Sequence, residues 1–542
     1  MATAGGQEFV IADHAGPLAA VLTLSIAAAL EPRFTVVQET RRAVRQVWLD
    51  TFDWRLHAAG LVLRQVTGSR SGELVLATTA GEALASQPAG AQRWPRLAAV
   101  IAAGPLRDRI DPVVQARALL PLARAQGTLT LLRVLDGERK TVARITLDVA
   151  SLADPVAAPL PGRLTLTAVR GYQAAADRAG RLLAAAEGFA ASPDPAFCAV
   201  LAAAGRSPGE YTDKVDVALP PSTPARAALA SVLLRLAGTI EANVGFVVRD
   251  VDTEFLHDLR VAVRRTRSAL KLTGDALPDG VAARFADEFK WLGDLTTPTR
   301  DLDVYLTGFD QMAAGLRAAS PGDLESLRAH LAGRRAIERR RLTRGLRSAR
   351  FTALMAGWRA ALEAAAGQPA RRGPDIGRLA ADRIARAQRR VAKRGAAIVA
   401  VTSAGVPPAG DLHALRKRCK ELRYLLEFFG SLYDPAVYRR AVKNLKGLQD
   451  CLGEFQDGEV QRDAIRGFAA EMVAGGQAGS GQAAPGLTSN ELTATLLAMG
   501  ELTARLHEQQ RRALEEVAGR FAEFARAGSL RSLRAPARTA RS

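Results

Sequence analysis

The sequence predicts a multidomain α+β protein: a strand-rich N-terminal part with helices, then an all-helical C-terminal part made of two copies of one unit. Three observations carry this. Short apolar runs separated by turn residues fill the first third, long amphipathic stretches recur from about Thr223 to Ala525, and a block of the second part repeats at a fixed spacing. At 542 residues the chain is also too long for one ordinary core.

The elements follow in order. The longest apolar run, Gly16 to Leu30, is short for a bilayer span and is preceded by Glu8 and Asp13 rather than a basic region. It therefore reads as a buried helix, without membrane insertion. Strands are expected at Arg33 to Gln38, Val44 to Leu49, Leu61 to Val66, Leu74 to Thr78, Thr128 to Leu135, Thr141 to Asp148 and Arg163 to Ala168. A helix follows over Tyr172 to Ala186. These elements define a domain over 1–190, and the Pro-bearing stretch sets a linker over 191–222. The helical domain spans 223–527, with repeats at about 223–365 and 375–527. Gly475 to Gly486 reads as a mobile loop, and 528–542 as a disordered basic tail in which Arg531, Arg534, Arg538 and Arg541 meet no acid.

The repeat is the most informative feature. His257, Arg260, Arg264, Arg267 and Leu270 map onto His413, Arg416, Lys420, Arg423 and Leu426 at a shift of 156 residues (413 − 257). The same shift, without a gap, places Lys290, Leu292, Asp294, Asp301 and Val304 on Lys446, Leu448, Asp450, Asp457 and Val460. One register held over two separate helices is a duplication.

Spacings of 3, 4, 3 and 4 put His257, Arg260, Arg264, Arg267 and Lys271 in one stripe along a helix, with Leu259, Val263 and Leu270 on the neighbouring face. The second copy repeats the ladder with His413, Arg416, Lys420 and Arg423, and has Glu427 where Lys271 stands in the first. Like charges stacked in this way repel, so a bridging anion is stabilising. The alternative is that Asp294, Asp301, Asp303, Asp450 and Asp457 neutralise the ladders in internal ion pairs. A histidine at a helix start is commonly a cap, but its recurrence at the head of both ladders points to a binding role.

Bulk charge agrees with an anionic partner. Lys and Arg total 74 against 55 Asp and Glu, a formal +19 with a pI near 10.7, in a chain that is 48% apolar and 24% charged. Cys198, Cys419 and Cys451 are too few and too scattered for a disulfide framework or a zinc site, which fits a cytoplasmic protein without a metal or cofactor.

These paired ladders, with Leu292-Gly293-Asp294 to Val304 and Leu448-Gln449-Asp450 to Asp457, resemble the CHAD domain, an all-helical domain named for conserved histidines. The resemblance covers about Ala225 to Ala525 and implies two pseudo-symmetric four-helix bundles with a basic groove that binds inorganic polyphosphate. The polyphosphate-binding residues expected on this basis are His257, Arg260, Arg264, Arg265, Arg267, Lys271 and Lys290 in the first repeat. In the second they are His413, Arg416, Lys417, Lys420, Arg423 and Lys446, joined by Arg390 and Arg394. Further bases are expected on the groove or its rim, in clusters at Arg334, Arg335, Arg339, Arg340 and Arg341 and at Arg383, Arg386, Arg389 and Lys393.

The N-terminal part resembles a CYTH domain of the triphosphate-tunnel type, an antiparallel β tunnel with helices, through Trp48-Leu49-Asp50-Thr51-Phe52-Asp53 and Leu61-Val62-Leu63-Arg64. Thr141 to Asp148 and the strand from Arg163 fit its later strands. The family's opening Glu-x-Glu-x-Lys is reduced to Glu8-Phe9-Val10-Ile11-Ala12, the Lys near Leu76-Ala77-Thr78 is replaced, and the late acidic strand reads Leu164-Thr165-Leu166-Thr167. Tunnel hydrolysis needs carboxylates for a divalent metal, so a retained fold without catalytic residues is expected, with Arg64, Arg133 and Arg144 left as structural or anion-contacting bases.

Three functions follow: a polyphosphate-binding protein, associated with polyphosphate granules; an inorganic triphosphatase; and a nucleic-acid-binding protein. The eroded acids disfavour the second. The third is disfavoured because aromatics are 5% and none interleaves with the first ladder, although Tyr424 abuts the second. No P-loop is present. Oligomeric state is left open.

Overall fold

The computed structural model describes residues 6–11, 19–68, 72–90, 92–192, 194–215, 217–367, 373–402, 406–477 and 488–526. The expected basic tail and nearly all of the expected Gly/Ala/Gln loop lie outside these residues. The chain divides into two compact units, Met1–Thr212 and Asp213–Ser542.

Unit one contains β1 (Gln7–Ile11), α1 (Ala19–Leu30), β2 (Thr35–Asp50), α2 (Arg55–Ala58), β3 (Leu61–Thr67), β4 (Gly72–Thr78), β5 (Ala83–Ala89) and β6 (Arg96–Leu97). It continues with α3 (Pro105–Val114), β7 (Ala118–Leu135), β8 (Thr141–Asp154), β9 (Ala158–Pro159), β10 (Gly162–Ala168), α4 (Gln173–Ala185), β11 (Phe189–Ala191) and α5 (Ala196–Ala204). The strands form an antiparallel sheet in the order β11-β1-β10-β8-β7-β2-β3-β4-β5, with β6 on β7 and β9 on β8. The period-2 alternation puts Leu132, Val134, Ile145, Leu147, Leu164 and Leu166 on one face, against α1 and α4. Glu8, Arg64, Thr146, Asp148, Arg163 and Thr165 line a channel on the other.

Two expectations change. The runs at 33–38 and 44–49 are one 16-residue strand, because β2 stays paired with β7 through a register shift between Gln38 and Thr40. The expected linker at 191–222 belongs to unit one as far as Thr212. Pro195 stands at the start of α5 and Gly205, at φ 64°, ends it, while Phe197, Val200, Leu201 and Ala204 join Trp48, Trp54 and Leu122 in a core. The prolines there punctuate a packed helix. In α1, Leu22, Ile26 and Leu30 are buried at i, i+4, i+8 while Val21 and Leu24 are exposed, so only one face of the expected buried helix is covered.

Unit two is helical: α6 (Ala225–Arg249), α7 (Thr253–Thr273), α8 (Val281–Thr307), α9 (Phe309–Ala314), α10 (Glu325–Leu346), α11 (Ala349–Gly367), α12 (Ile376–Thr402), α13 (Ala409–Phe429), α14 (Pro435–Gln477) and α15 (Ser489–Arg526). The second repeat is four helices, α12 to α15. In the first, the place of the 38-residue α15 is taken by α10 and α11, separated where Ser348 caps the new helix by accepting from the Phe351 N–H at 3.3 Å. Helix α6 is long and apolar enough to cross a membrane; here Leu229, Leu233, Leu236 and Ile240 are buried, and it packs on α7 and α11. Leu302, Phe309, Leu327 and Leu331 of the first repeat share a core with Ile465, Met472, Met499 and Leu502 of the second.

Candidate anion-binding site

Helix α7 is fixed from its start. The Asp252 carboxylate accepts from the Glu254 and Phe255 N–H groups at 2.9 and 3.1 Å, and Phe255, Leu259, Ala262, Val263 and Leu270 are buried. In α13 the equivalent apolar face buries Leu412, Leu415, Cys419, Leu422 and Leu426. Both ladders are therefore turned away from their own cores. The two helices pack against each other, and with α14 they enclose a cavity of about 600 Å³.

Of the sequence-predicted residues, this cavity brings together His257, Arg264 and Arg265 from α7 with Arg416, Lys420 and Arg423 from α13. Helix α14 supplies Gln449, Asp450, Glu454 and Asp457. Burial, together with Arg416 and Arg264, holds the Lys420 ammonium down to about 8 against the partial relief given by Asp457. The Arg264 guanidinium lies 5.9 Å from the Tyr424 ring centroid, so the aromatic beside the second ladder holds a rung of the first. Burial and the nearby Arg300 keep His257 below its ordinary value, so its imidazole is mainly neutral at pH 7.

The acids take a share of the bases. Arg416 donates to Asp457 at 2.9 Å, and Glu427 accepts from Arg265 at 2.9 Å and from Arg423 at 2.6 Å. Arg265 also donates to the Asp213 carbonyl at 2.8 Å.

The other predicted residues lie off the cavity wall. Arg260 bonds to Thr297 and sits 3.9 Å from Asp301, and burial lowers its pKa. Arg267 lies across α8: its Nη1 is 2.8 Å from where a Cβ on Gly293 would be. Lys271 donates to the buried Glu421 at 2.7 Å, and His413 Nδ1 is 2.5 Å from Gln456 Oε1. Arg394 pairs with Asp411 at 3.1 Å, whereas Lys290, Arg390, Lys417 and Lys446 are exposed.

The expectation that the cluster at 334–341 lines the groove does not hold for its inner members. Arg335 binds Asp250 and Asp303, Arg339 binds Asp250 at 2.7 Å, and Arg334 binds Glu471. Asp250 adopts a left-handed φ of 57° at the end of α6, which presents its carboxylate to both arginines. Arg383 is likewise paired, with Asp275. These are structural ties.

Sequence reasoning missed Gln449 as a cavity residue. It falls inside the Leu448-Gln449-Asp450 motif, where its counterpart in the first repeat is Gly293.

In unit one the channel encloses about 210 Å³. Its carboxylates are engaged: Glu8 lies 3.5 Å from Arg163, and Asp148 accepts from Gln46 at 2.9 and 3.0 Å with Arg64 at 3.9 Å. Burial raises the Asp148 pKa. Among the described residues no group of three His, Cys, Asp or Glu side chains is arranged to hold a metal ion. Glu8 and Asp148, each beside an arginine, do not fit the divalent cation that tunnel hydrolysis requires.

The helical unit is thus a duplicated bundle whose two cationic helices share one cavity. Residues 231–466 match the family model described as the CHAD domain, and the helical half of this chain carries a CHAD domain. No curated protein matches the chain. Among solved structures, the CHAD domain from the plant Ricinus communis is 25% identical, covering 61% of this chain and 99% of its own, with a TM-score of 0.47. PptA from Streptomyces chartreusis is 16% identical over 55% of this chain and 100% of its own, with a TM-score of 0.41. The Hippeastrum protein HpAC1, described by a dominant triphosphatase activity, is 11% identical over 38% of this chain and 99% of its own, with a TM-score of 0.26.

Proposed function

We propose that this protein binds inorganic polyphosphate in the cavity between α7 and α13. The observation that carries the reading is the convergence of rungs from both repeats around Lys420, whose basicity is lowered by burial and then by the adjacent Arg416 and Arg264. A flexible chain of phosphates supplies evenly spaced anionic oxygens and asks for donors in a row. Nucleic acid would call for stacking platforms, and the Tyr424 ring on this wall is covered by Arg264. In the same reading the N-terminal unit is non-catalytic, its channel carboxylates being tied to Arg163, Gln46 and Arg64, and the protein works in the cytoplasm at polyphosphate granules.

The test compares long-chain polyphosphate, heparin and single-stranded DNA at matched charge over a range of salt. Polyphosphate is expected to bind tightest throughout, with an affinity that falls steeply as salt rises. Equal binding of DNA, or an affinity that ignores salt, would overturn the proposal.

A further inference from the structure

Gln449 stands out on the cavity wall. It is 9% exposed, and neither its Nε2 nor its Oε1 has a hydrogen-bond partner. An amide buried with both ends unpaired weakens the free fold unless something that enters the cavity pairs with it.

The two repeats differ at this position. Gln449 is the counterpart of Gly293 at the shift of 156 (449 − 293), and Arg423 is the counterpart of Arg267 (423 − 267). In the first repeat the missing side chain at Gly293 lets the Arg267 guanidinium lie against α8, off the cavity wall. In the second, Gln449 stands at the glycine's position, and Arg423 is on the wall, donating to Glu427 at 2.6 Å. In the second repeat, then, a guanidinium held by Glu427 stands on the cavity wall with the unpaired amide of Gln449.

We propose that Gln449 contacts the bound phosphate chain, its Nε2 donating to a non-bridging oxygen, and that with Lys420 and Arg423 it forms the subsite that holds short chains. This rests on the polyphosphate reading of the same cavity. The subsite lies in the second repeat, so the two halves of the cavity are unequal despite their matched ladders. A triphosphate, able to engage only a few donors, settles there; a long chain continues from it towards Arg264.

The experiment measures tripolyphosphate and long-chain polyphosphate binding by calorimetry, with thermal melts, on the full chain and its Gln449→Met and Gln449→Glu variants. Methionine keeps the length and removes the amide. Gln449→Met is expected to weaken tripolyphosphate binding roughly tenfold, the scale of one hydrogen bond to a charged group. It should also melt at a higher temperature without ligand, because an unpaired polar group has been removed. Gln449→Glu should lose tripolyphosphate binding altogether. A residue with only a structural part would show the reverse of the methionine result: unchanged binding and a lower melting temperature. If wild-type protein binds both ligands and Gln449→Met binds tripolyphosphate within twofold of it, this inference fails and the polyphosphate reading stands. If wild-type protein binds neither, the polyphosphate reading itself fails.

Discussion

Glu427 Oε2 accepts a hydrogen bond from Arg265 Nε at 2.9 Å, joining α13 to α7 across the two repeats. The position is the one at which the first repeat has Lys271. The same carboxylate holds Arg423, so one acid restrains two of the cavity's bases.

Glu427→Gln should release both. Tripolyphosphate and polyphosphate are then expected to bind about fivefold tighter, the scale of one partly exposed charge pair. The unliganded domain should lose about 2 kcal/mol, less than for a fully buried pair, because both arginines can turn to water in the cavity. Calorimetry and urea melts on one preparation check both signs, and unchanged affinity would mean that the pair does not compete with the anion.

Lys420 gives a pH signature. Its free-state value of about 8 rises when an anion is bound, so binding takes up a proton and weakens as pH climbs above about 8. Stability of the unliganded domain moves the other way. Between about 8 and the ordinary 10.5 the unfolded chain carries the proton that the folded chain has released, so folding is favoured as pH rises through that window. Lys420→Arg should flatten the alkaline limb of the binding curve. On the acid side, burial and Arg300 hold His257 below its ordinary value, and a bound anion raises it, so affinity should grow as pH falls through the titration of this imidazole. A flat profile in His257→Gln, with an acid limb in the wild type, assigns the limb to this imidazole.

The ladders should act together on long chains. Replacing Arg264 and Arg265 by Ala, or separately Arg416 and Lys420, is expected to remove most affinity for long polyphosphate in either case, because a chain held by one wall meets the other at high effective concentration. The combined variant should depart from the sum of the two losses by more than roughly 0.5 kcal/mol. Additive losses would mean two independent surfaces.

Packing of the second bundle offers a check that is independent of any ligand. A Cβ at Gly395 of α12 would fall 1.9 Å from the Phe521 ring of α15. Gly395→Ala gains about 1 kcal/mol in helix propensity. Overpacking costs about 1–3 kcal/mol, so the variant should melt lower. A higher melting temperature would show that α15 can shift away from α12.

Much of this was legible in the sequence, and the limits have a physical cause. The duplication and both ladders follow from residue spacing alone, since a helix's periodicity fixes which side chains share a stripe. Which rungs enter the cavity does not. Arg267 and Arg423 occupy matched positions, yet their surroundings differ: Gly293 against Gln449 on another helix, and Lys271 against Glu427 on their own. The inner arginines at 335 and 339 read as solvated bases because their partner, Asp250, is some 85 residues away in the chain. In the first unit β3, β4 and β10 were legible from alternation, whereas α5 was hidden by its own punctuating prolines.

The exposed bases off the cavity wall, Lys290, Arg390, Lys417 and Lys446, have a kinetic consequence. Held in water, they add little to the bound state, but their field reaches about 10 Å at moderate salt and speeds the encounter with a polyanion. Retention should be set elsewhere, by the desolvated donors around Lys420. Capture and residence time are therefore governed by different side chains, and salt should slow arrival through the first group while departure follows the second.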